Sequence, residues 1–306
     1  MANEIGADRR PGVKPLIRAL LPRTIRPRRI LAGPLRGAWL VTSWHDYPAG
    51  LTGRTERPLL DWFARHVQPG ETWLDVGAHY GYTAFALARL VGPAGRVFTF
   101  EPVPGTAGCV DQGRVLNALS HVTVVPMALG ACATLEFRRL ACTRGMADST
   151  LPANAYVGRV PRPVRPSGPR KWTAQPALAR RVAQRPDNGE GGSGPGEKAP
   201  SQWFVNVAVA RFDWLWPALH GGEARIHGVK IDVQGMELET LGGMRDALAR
   251  WRPRIVLELH AGVSREAVLS LLRELGYSSE AVAIEPVRGE RTPQFLDNHS
   301  YAFHPA

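Results

Sequence analysis

Cysteine is scarce in this chain: Cys109, Cys132 and Cys142 are the only three in 306 residues. They form no C-x-x-C pair, and their odd number leaves at least one thiol unpaired, so neither a disulfide framework nor a zinc knuckle is supported. A reducing, cytoplasmic setting fits that usage. Long apolar runs are missing too. The longest near the N-terminus, LIRALL, is interrupted by Arg18 and is too short for a signal-peptide core or a transmembrane segment. At most, Leu16, Ile17, Leu20 and Leu21 offer a weak interfacial contact. No internal repeat is visible.

Positive charge, by contrast, is plentiful, with a formal net charge of +11. Its location decides what it means. Residues 1–36 carry nine Lys/Arg against two acids and residues 152–200 nine against three, so the rest of the chain is near neutral. A duplex binder needs basic groups fixed on a rigid surface that registers them against phosphates. Flexible basic arms give only loose, salt-sensitive attraction, and no specific nucleic-acid partner is expected. With 44% apolar and 21% charged residues, the composition is that of a soluble globular protein.

Residues 1–36 read as a basic N-terminal extension, and 37–306 as one domain interrupted at 152–200. The interruption holds nine prolines and seven glycines, ends in NGEGGSGPGEKAP and has no apolar period. Such a segment buries too little to offset its ordering entropy and is expected to be mostly disordered. On both sides of it, strands alternate with helices. Helical spacing runs over Leu59–Val67, Tyr82–Leu90, 105–119, Glu237–Trp251 and Ala267–Leu275. Apolar strands are expected at 72–76, 96–102, 122–128, 229–233 and 254–260, with two shorter candidates at Val282–Ile284 and Tyr301–Phe303. Nearly continuous apolar strands separated by helices predict a doubly wound α/β fold around a mainly parallel sheet. Ligands of such sheets sit beyond the carboxyl ends of the strands.

The first strand ends in DVGAHYGY, where Gly77 and Gly81 flank a turn into a helix and let backbone N–H groups approach a ligand. The dinucleotide fingerprint G-x-G-x-x-G is incomplete, because His79 holds its middle position, and no G-K-[ST] follows. Taken alone, the glycines could serve only the turn. The second strand ends in Glu101, 26 residues after Asp75, the place and offset of an acid that takes the ribose hydroxyls of an adenosine cofactor. An adenosine cofactor without a pyrophosphate satisfies both features, and S-adenosylmethionine is one.

ETWLDVGAHYGYTAFALARLVGPAGRVFTFEPVP, together with VKIDVQGMELETLGGM and RPRIVLELH, resembles the cofactor motifs and the later motifs of FkbM-type methyltransferases. GPLRGAW, GRTE at 53–56 and NALSHVTVVPMALG are similar to the same family's other segments, so the resemblance covers about residues 30–151 and 204–304. It implies a class I methyltransferase (Rossmann-like) fold, a seven-stranded sheet with an antiparallel last strand, and methylation of hydroxyl groups on small molecules or sugars. By this similarity Asp75 and Gly77 line the methionine end, Glu101 binds ribose, and Met127, Ala128 and Leu129 border the adenine. The family usually has asparagine in place of His79 and glutamate in place of Gln234.

Methyl transfer to an alcohol needs alignment and a destination for the hydroxyl proton. Asp232, ending the fourth strand, is the leading candidate base; equally, it could cap the helix that follows, whose first turn holds Glu237 and Glu239. His260, ending the fifth strand, has a pKa suited to a base or serves structure alone. Asp232 with His260 could share a divalent ion, but with Gln234 in place of a carboxylate no metal ligand set is assigned. Asp148 and Ser149 are weaker candidates near the acceptor. Two other functions compete: a non-catalytic cofactor- or RNA-binding protein that keeps the fold, and a nicotinamide-dependent reductase. The acceptor and the oligomeric state are not encoded in any spacing.

Overall fold

The computed structural model describes residues 20–143, 202–220, 224–278, 280–288, 290 and 292–306. The 152–200 interruption, the first part of the basic extension, Asp148 and Ser149 all lie outside them. No disulfide joins the three cysteines, which are buried. Among the described residues, no helix is long and apolar enough to cross a membrane.

Residues 26–42 straddle the boundary read at residue 36 and form one antiparallel hairpin, β1 (Arg26–Arg29) with β2 (Trp39–Thr42). Ile30, Leu35 and Leu40 of this segment are buried with Leu51, Tyr82, Phe85 and Val110, so apolar anchors bind the arginine-rich stretch to the helices behind it. Its arginines also find partners, since the Arg29 guanidinium lies 4.0 Å from the centre of the Trp39 ring.

Next come α1 (Pro48–Thr52), α2 (Arg57–His66), β3 (Thr72–Val76), α3 (Tyr82–Val91), β4 (Arg96–Phe100), α4 (Pro104–Leu116) and β5 (Val122–Val125). A small sheet follows, built from β6 (Ala128–Leu129), β7 (Glu136–Thr143) and β8 (Gln202–Ala210). The chain then runs through α5 (Phe212–His220), β9 (Gly228–Ile231), α6 (Glu237–Gly242), α7 (Arg245–Trp251), β10 (Arg254–Leu259), α8 (Arg265–Glu274), β11 (Val282–Ala283) and β12 (His299–Phe303).

The main sheet has seven strands in the order β11-β12-β10-β9-β3-β4-β5. From β5 to β10 all neighbours are parallel, and β12 runs antiparallel to both of its neighbours. The mainly parallel, doubly wound sheet with an antiparallel strand late in the chain is therefore as read from the sequence. The chain moves outward from β3 to β5 on one side and from β9 to β10 on the other, so the topological switch lies between β3 and β9.

Side-chain alternation divides the core into two faces. Leu74, Phe98, Val229, Ile231 and Leu257 join α5, α6, α7 and α8 in one cluster. Trp73, Val97 and Val256 join α2 and α3 in another. The same alternation sends Asp75 and Lys230, which are register partners, toward the second face. Asp232 and Glu258 follow two residues on from Lys230 and Val256, so the carboxyl ends of three neighbouring strands carry one polar column.

Several elements differ from the sequence reading: β1, β2, α1, β7, β8 and α5 are absent from it, and the strand expected at 122–128 ends at Val125, with Ala128 passing to the small sheet. The single helix expected over Glu237–Trp251 is two, because the chain breaks at Gly243, where a Cβ would lie 2.3 Å from the Gly130 carbonyl oxygen. The second helix restarts under a carboxylate borrowed from α5: Asp213 accepts hydrogen bonds from the N–H groups of Asp246 (3.0 Å) and Ala247 (2.9 Å). Asp213→Ala is expected to lower unfolding free energy by about 1–2 kcal/mol, read from the midpoint of a urea titration at constant slope. Among the unread elements, β7 pairs antiparallel with β8 from Glu136↔Val209 to Thr143↔Gln202.

Candidate active site

At the switch point the β3 turn and the end of β9 are in backbone contact. Gly77, at φ +87°, has no room for a side chain, since a Cβ would lie 1.8 Å from the Asp232 carbonyl oxygen. The turn is closed by left-handed residues at Gly77, His79 and Gly81. His79 reaches φ +49° without being glycine, a conformation in which asparagine and histidine are enriched. Tyr47 packs edge-on against its ring with centroids 4.8 Å apart.

Glu101 holds that turn from the neighbouring strand. It accepts hydrogen bonds from the His79 N–H (2.9 Å) and the Val103 N–H (3.0 Å), one on each carboxylate oxygen. Each oxygen keeps a lone pair for another donor. Burial pushes the carboxyl up to about 7, with the two N–H groups and the Lys230 charge opposing the rise.

Asp75 lies beneath the turn and is fully buried. Its Oδ2 accepts from the Thr83 hydroxyl at 2.8 Å, while Oδ1 makes no hydrogen bond and faces Lys230 Nζ at 3.4 Å. Lys230 is buried as well. Its ammonium donates to the Gly77 carbonyl at 3.0 Å and to Asp232 Oδ2 at 3.2 Å. Burial alone would lower its pKa, but Asp232, Asp75, Glu56 and Glu258 outweigh burial and raise it above the usual lysine value. Burial, opposed by Lys230 and reinforced by Asp232 and Glu258, pushes the Glu56 carboxyl up to about 7.

Asp232 does not cap the helix after it. Its oxygens go to Lys230 and to the Gln234 amide, which donates to Oδ1 at 3.3 Å, and α6 begins with no side-chain cap. Gln234 itself is left-handed, at φ +54°. The two acids of α6 part ways. Glu239 pairs with Arg138 of β7 at 2.6 Å, whereas Glu237 is fully buried and bonds His260 Nδ1 at 2.6 Å and the Gly235 N–H at 3.1 Å. The other ring nitrogen, His260 Nε2, makes no hydrogen bond; Glu258 Oε1 and Asp232 Oδ1 stand 3.4 and 3.6 Å away. Burial lowers the His260 pKa, but the hydrogen bond to Glu237, with the nearby carboxylates of Glu258 and Asp232, carries it up to about 10. In this state the ring is an imidazolium at neutral pH.

The structure thus gathers Asp75, Gly77, His79, Gly81, Glu101, Asp232 and His260 at neighbouring strand ends. Met127, Ala128 and Leu129 follow β5 instead. Met127 and Ala128 are half-buried, and Leu129 belongs to the core, its carbonyl accepting from the Thr240 hydroxyl. Sequence reasoning missed Lys230, Glu56 and Glu258, and it placed Glu237 in the first turn of α6, where it lies, without its bond to His260. A signal existed for two of them: Lys230 and Glu258 interrupt strands otherwise apolar on both faces, and a buried charge requires a partner. A separate recess of about 290 Å³, lined by Cys132, Thr134, Arg211, Asp213, Trp214 and Asp246, contains none of these groups.

Residues 75–279 match the model of the methyltransferase FkbM domain. A protein-L-isoaspartate O-methyltransferase from Aeropyrum pernix is 55% identical over 63 residues, 21% of this chain and 24% of that protein, so the match spans about a quarter of that relative's length. Among solved structures, a methyltransferase FkbM from Methylobacillus flagellatus is 14% identical with a TM-score of 0.41, covering 84% of this chain and 53% of its own. An O-methyltransferase from Thermotoga maritima (13%, TM-score 0.39) covers 81% and 64%. A rRNA methylase from Streptococcus thermophilus (11%, TM-score 0.42) covers 83% and 98%.

Proposed function

The chain belongs to the FkbM methyltransferase family and uses S-adenosylmethionine as methyl donor, and from that premise we propose that it methylates a hydroxyl oxygen of a small molecule or sugar. Asp75, Gly77, His79, Gly81 and Glu101 would hold the cofactor, with Met127 and Ala128 beside its adenine and Leu129 packed behind them. The donor set suits this ligand: Glu101 keeps lone pairs for a ribose diol, and Asp75 Oδ1 is an unsatisfied acceptor beneath the turn, suited to favour a nearby amino group. When bound, the cofactor supplies a methyl carbon on a positively charged sulfur, which departs with the bonding electron pair.

The remaining task falls to the chain's own residues. Asp232, anchored through Oδ2 by Lys230, is aligned to receive the acceptor's proton as its oxygen bonds the methyl carbon. His260, cationic in the free chain, positions Asp232 and Glu258 and is not itself the base in that state. The observation that carries the reading is the charge of the pocket. Asp232, Glu258 and Glu56, half-buried, gather around Lys230 and His260 with the fully buried Glu237 and Asp75 behind them; the accessible carboxylates suit hydroxyl donors, and the excess negative charge repels a phosphate backbone.

The test is transfer of isotope-labelled methyl from S-adenosylmethionine to a panel of polyhydroxylated small molecules and sugars, with RNA and protein in parallel. The expected product is a base-stable methyl ether. Label on RNA, or base-labile label on protein carboxylates, with none on hydroxyl compounds, would sink the reading.

A further inference from the structure

We propose that Asp232, Glu258 and His260 form a binding site for one divalent cation, placed to hold the acceptor oxygen. One oxygen from each carboxylate and a ring nitrogen of His260 lie within 4.8 Å of one another. His260 Nε2 stands 3.4 Å from Glu258 Oε1 and 3.6 Å from Asp232 Oδ1, and ligands about 2.0–2.2 Å from a shared ion sit roughly 3.0–3.5 Å apart. Small side-chain shifts close the set.

Proximity of acids alone would say little. The second observation is the orientation of the histidine. Its side chain is 93% buried, and Nε2 points between the two carboxylates without a hydrogen bond. The opposite nitrogen, Nδ1, is held at 2.6 Å by Glu237, a carboxylate with no exposure at all. A carboxylate behind the imidazole fixes the ring through Nδ1–H, so that Nε2 becomes the ligand atom once the incoming ion displaces its proton, which is the outer-sphere arrangement metal-bound histidines use. Asp232 and Glu258 keep 25% and 22% of their side chains exposed, so the site opens to a ligand. Gln234 also fits: its amide touches Asp232 Oδ1, and a half-turn of the terminal amide presents its carbonyl oxygen.

One imidazole and two carboxylates leave coordination positions for the acceptor hydroxyl and suit Mn²⁺ or a similar first-row ion. Asp232 would bind the ion through Oδ1 and keep Oδ2, beside Lys230, for the hydroxyl's proton. A hydroxyl on the ion is more acidic and fixed in place. This role rests on the methyltransfer reading above, whereas the site itself does not.

The probe is Mn²⁺ alone, added to the chelator-stripped full chain and followed by the paramagnetic signal of the free ion. One Mn²⁺ per chain is expected, weakened at least about tenfold in Glu258→Gln and His260→Ala, and about 10- to 100-fold in Glu237→Gln, which removes no ligand. Absence of binding, or binding unchanged in Glu258→Gln, overturns the site. Glu258→Gln conserves volume, so it decides if His260→Ala fails to fold. Calorimetry with S-adenosylhomocysteine and turnover after chelation separate the two proposals. Normal cofactor binding and turnover without Mn²⁺ affinity defeat the metal site alone; Mn²⁺ binding without methylation of any hydroxyl defeats only the acceptor reading.

Discussion

Glu101→Ala is expected to weaken S-adenosylhomocysteine binding at least about a hundredfold at pH 8, measured by calorimetry. The ribose diol would lose an anionic acceptor, and each hydrogen bond to a charged group contributes roughly 1.5–3 kcal/mol. The side chain also holds the His79 N–H and the Val103 N–H, so its removal leaves two donors unmet and loosens the turn. Glu101→Gln is a sharper probe, because a carboxamide has one acceptor oxygen and would aim its NH₂ at a backbone N–H. Protonation does similar damage. The carboxyl titrates near 7 in the free chain, well above an ordinary glutamate, and only the anion accepts from both N–H groups and both ribose hydroxyls. Affinity should therefore be full above pH 7 and fall as pH drops through it, by about tenfold at pH 6. The fall should vanish in Glu101→Gln. A dissociation constant within threefold of the parent for Glu101→Ala would remove Glu101 from the cofactor site.

The positions that sequence reasoning found and those it missed differ for a physical reason. TWLDV, RVFTF and RIVLEL are mainly apolar because both faces of the sheet are covered, and that property is local enough to read without a structure. Once the strands are known, the switch-point rule puts Asp75, Glu101 and Asp232 at ligand height. The pairing of Asp75 with Lys230, however, joins strands that are far apart in the chain, and no local period encodes that register. The sequence places Glu237 and Glu239 together in the first turn of one helix, and both are there, but only Glu237 is buried. The two differ by their place on the helix: Glu237 precedes the buried Leu241 by one turn, on the same face, and Glu239 does not. That spacing was in the sequence, but its meaning depended on His260 lying opposite. The break at Gly243 was illegible because its cause, the Gly130 carbonyl, belongs to a segment more than a hundred residues earlier.

Asp232→Asn is expected to reduce kcat by about 10²- to 10⁴-fold, the usual contribution of a positioned base, while changing S-adenosylhomocysteine affinity by less than about threefold. The substitution keeps shape and volume. Its carbonyl oxygen can still accept from Lys230, and that ammonium retains Asp75 and the Gly77 carbonyl, so the buried cation is not stranded. What disappears is the negative charge at the one column residue that is both partly exposed and tied to the glycine turn through its own backbone. Lys230 cannot replace it, because surrounding carboxylates keep it protonated, and His260 is cationic until something displaces its proton. A kcat within tenfold of the parent would mean that alignment alone carries the chemistry. Unchanged kcat with a raised KM would make Asp232 an acceptor-binding group. The comparison with Glu101→Ala is decisive, since that variant should lose the cofactor and Asp232→Asn should keep it, separating the residue that holds the donor from the one that prepares the acceptor.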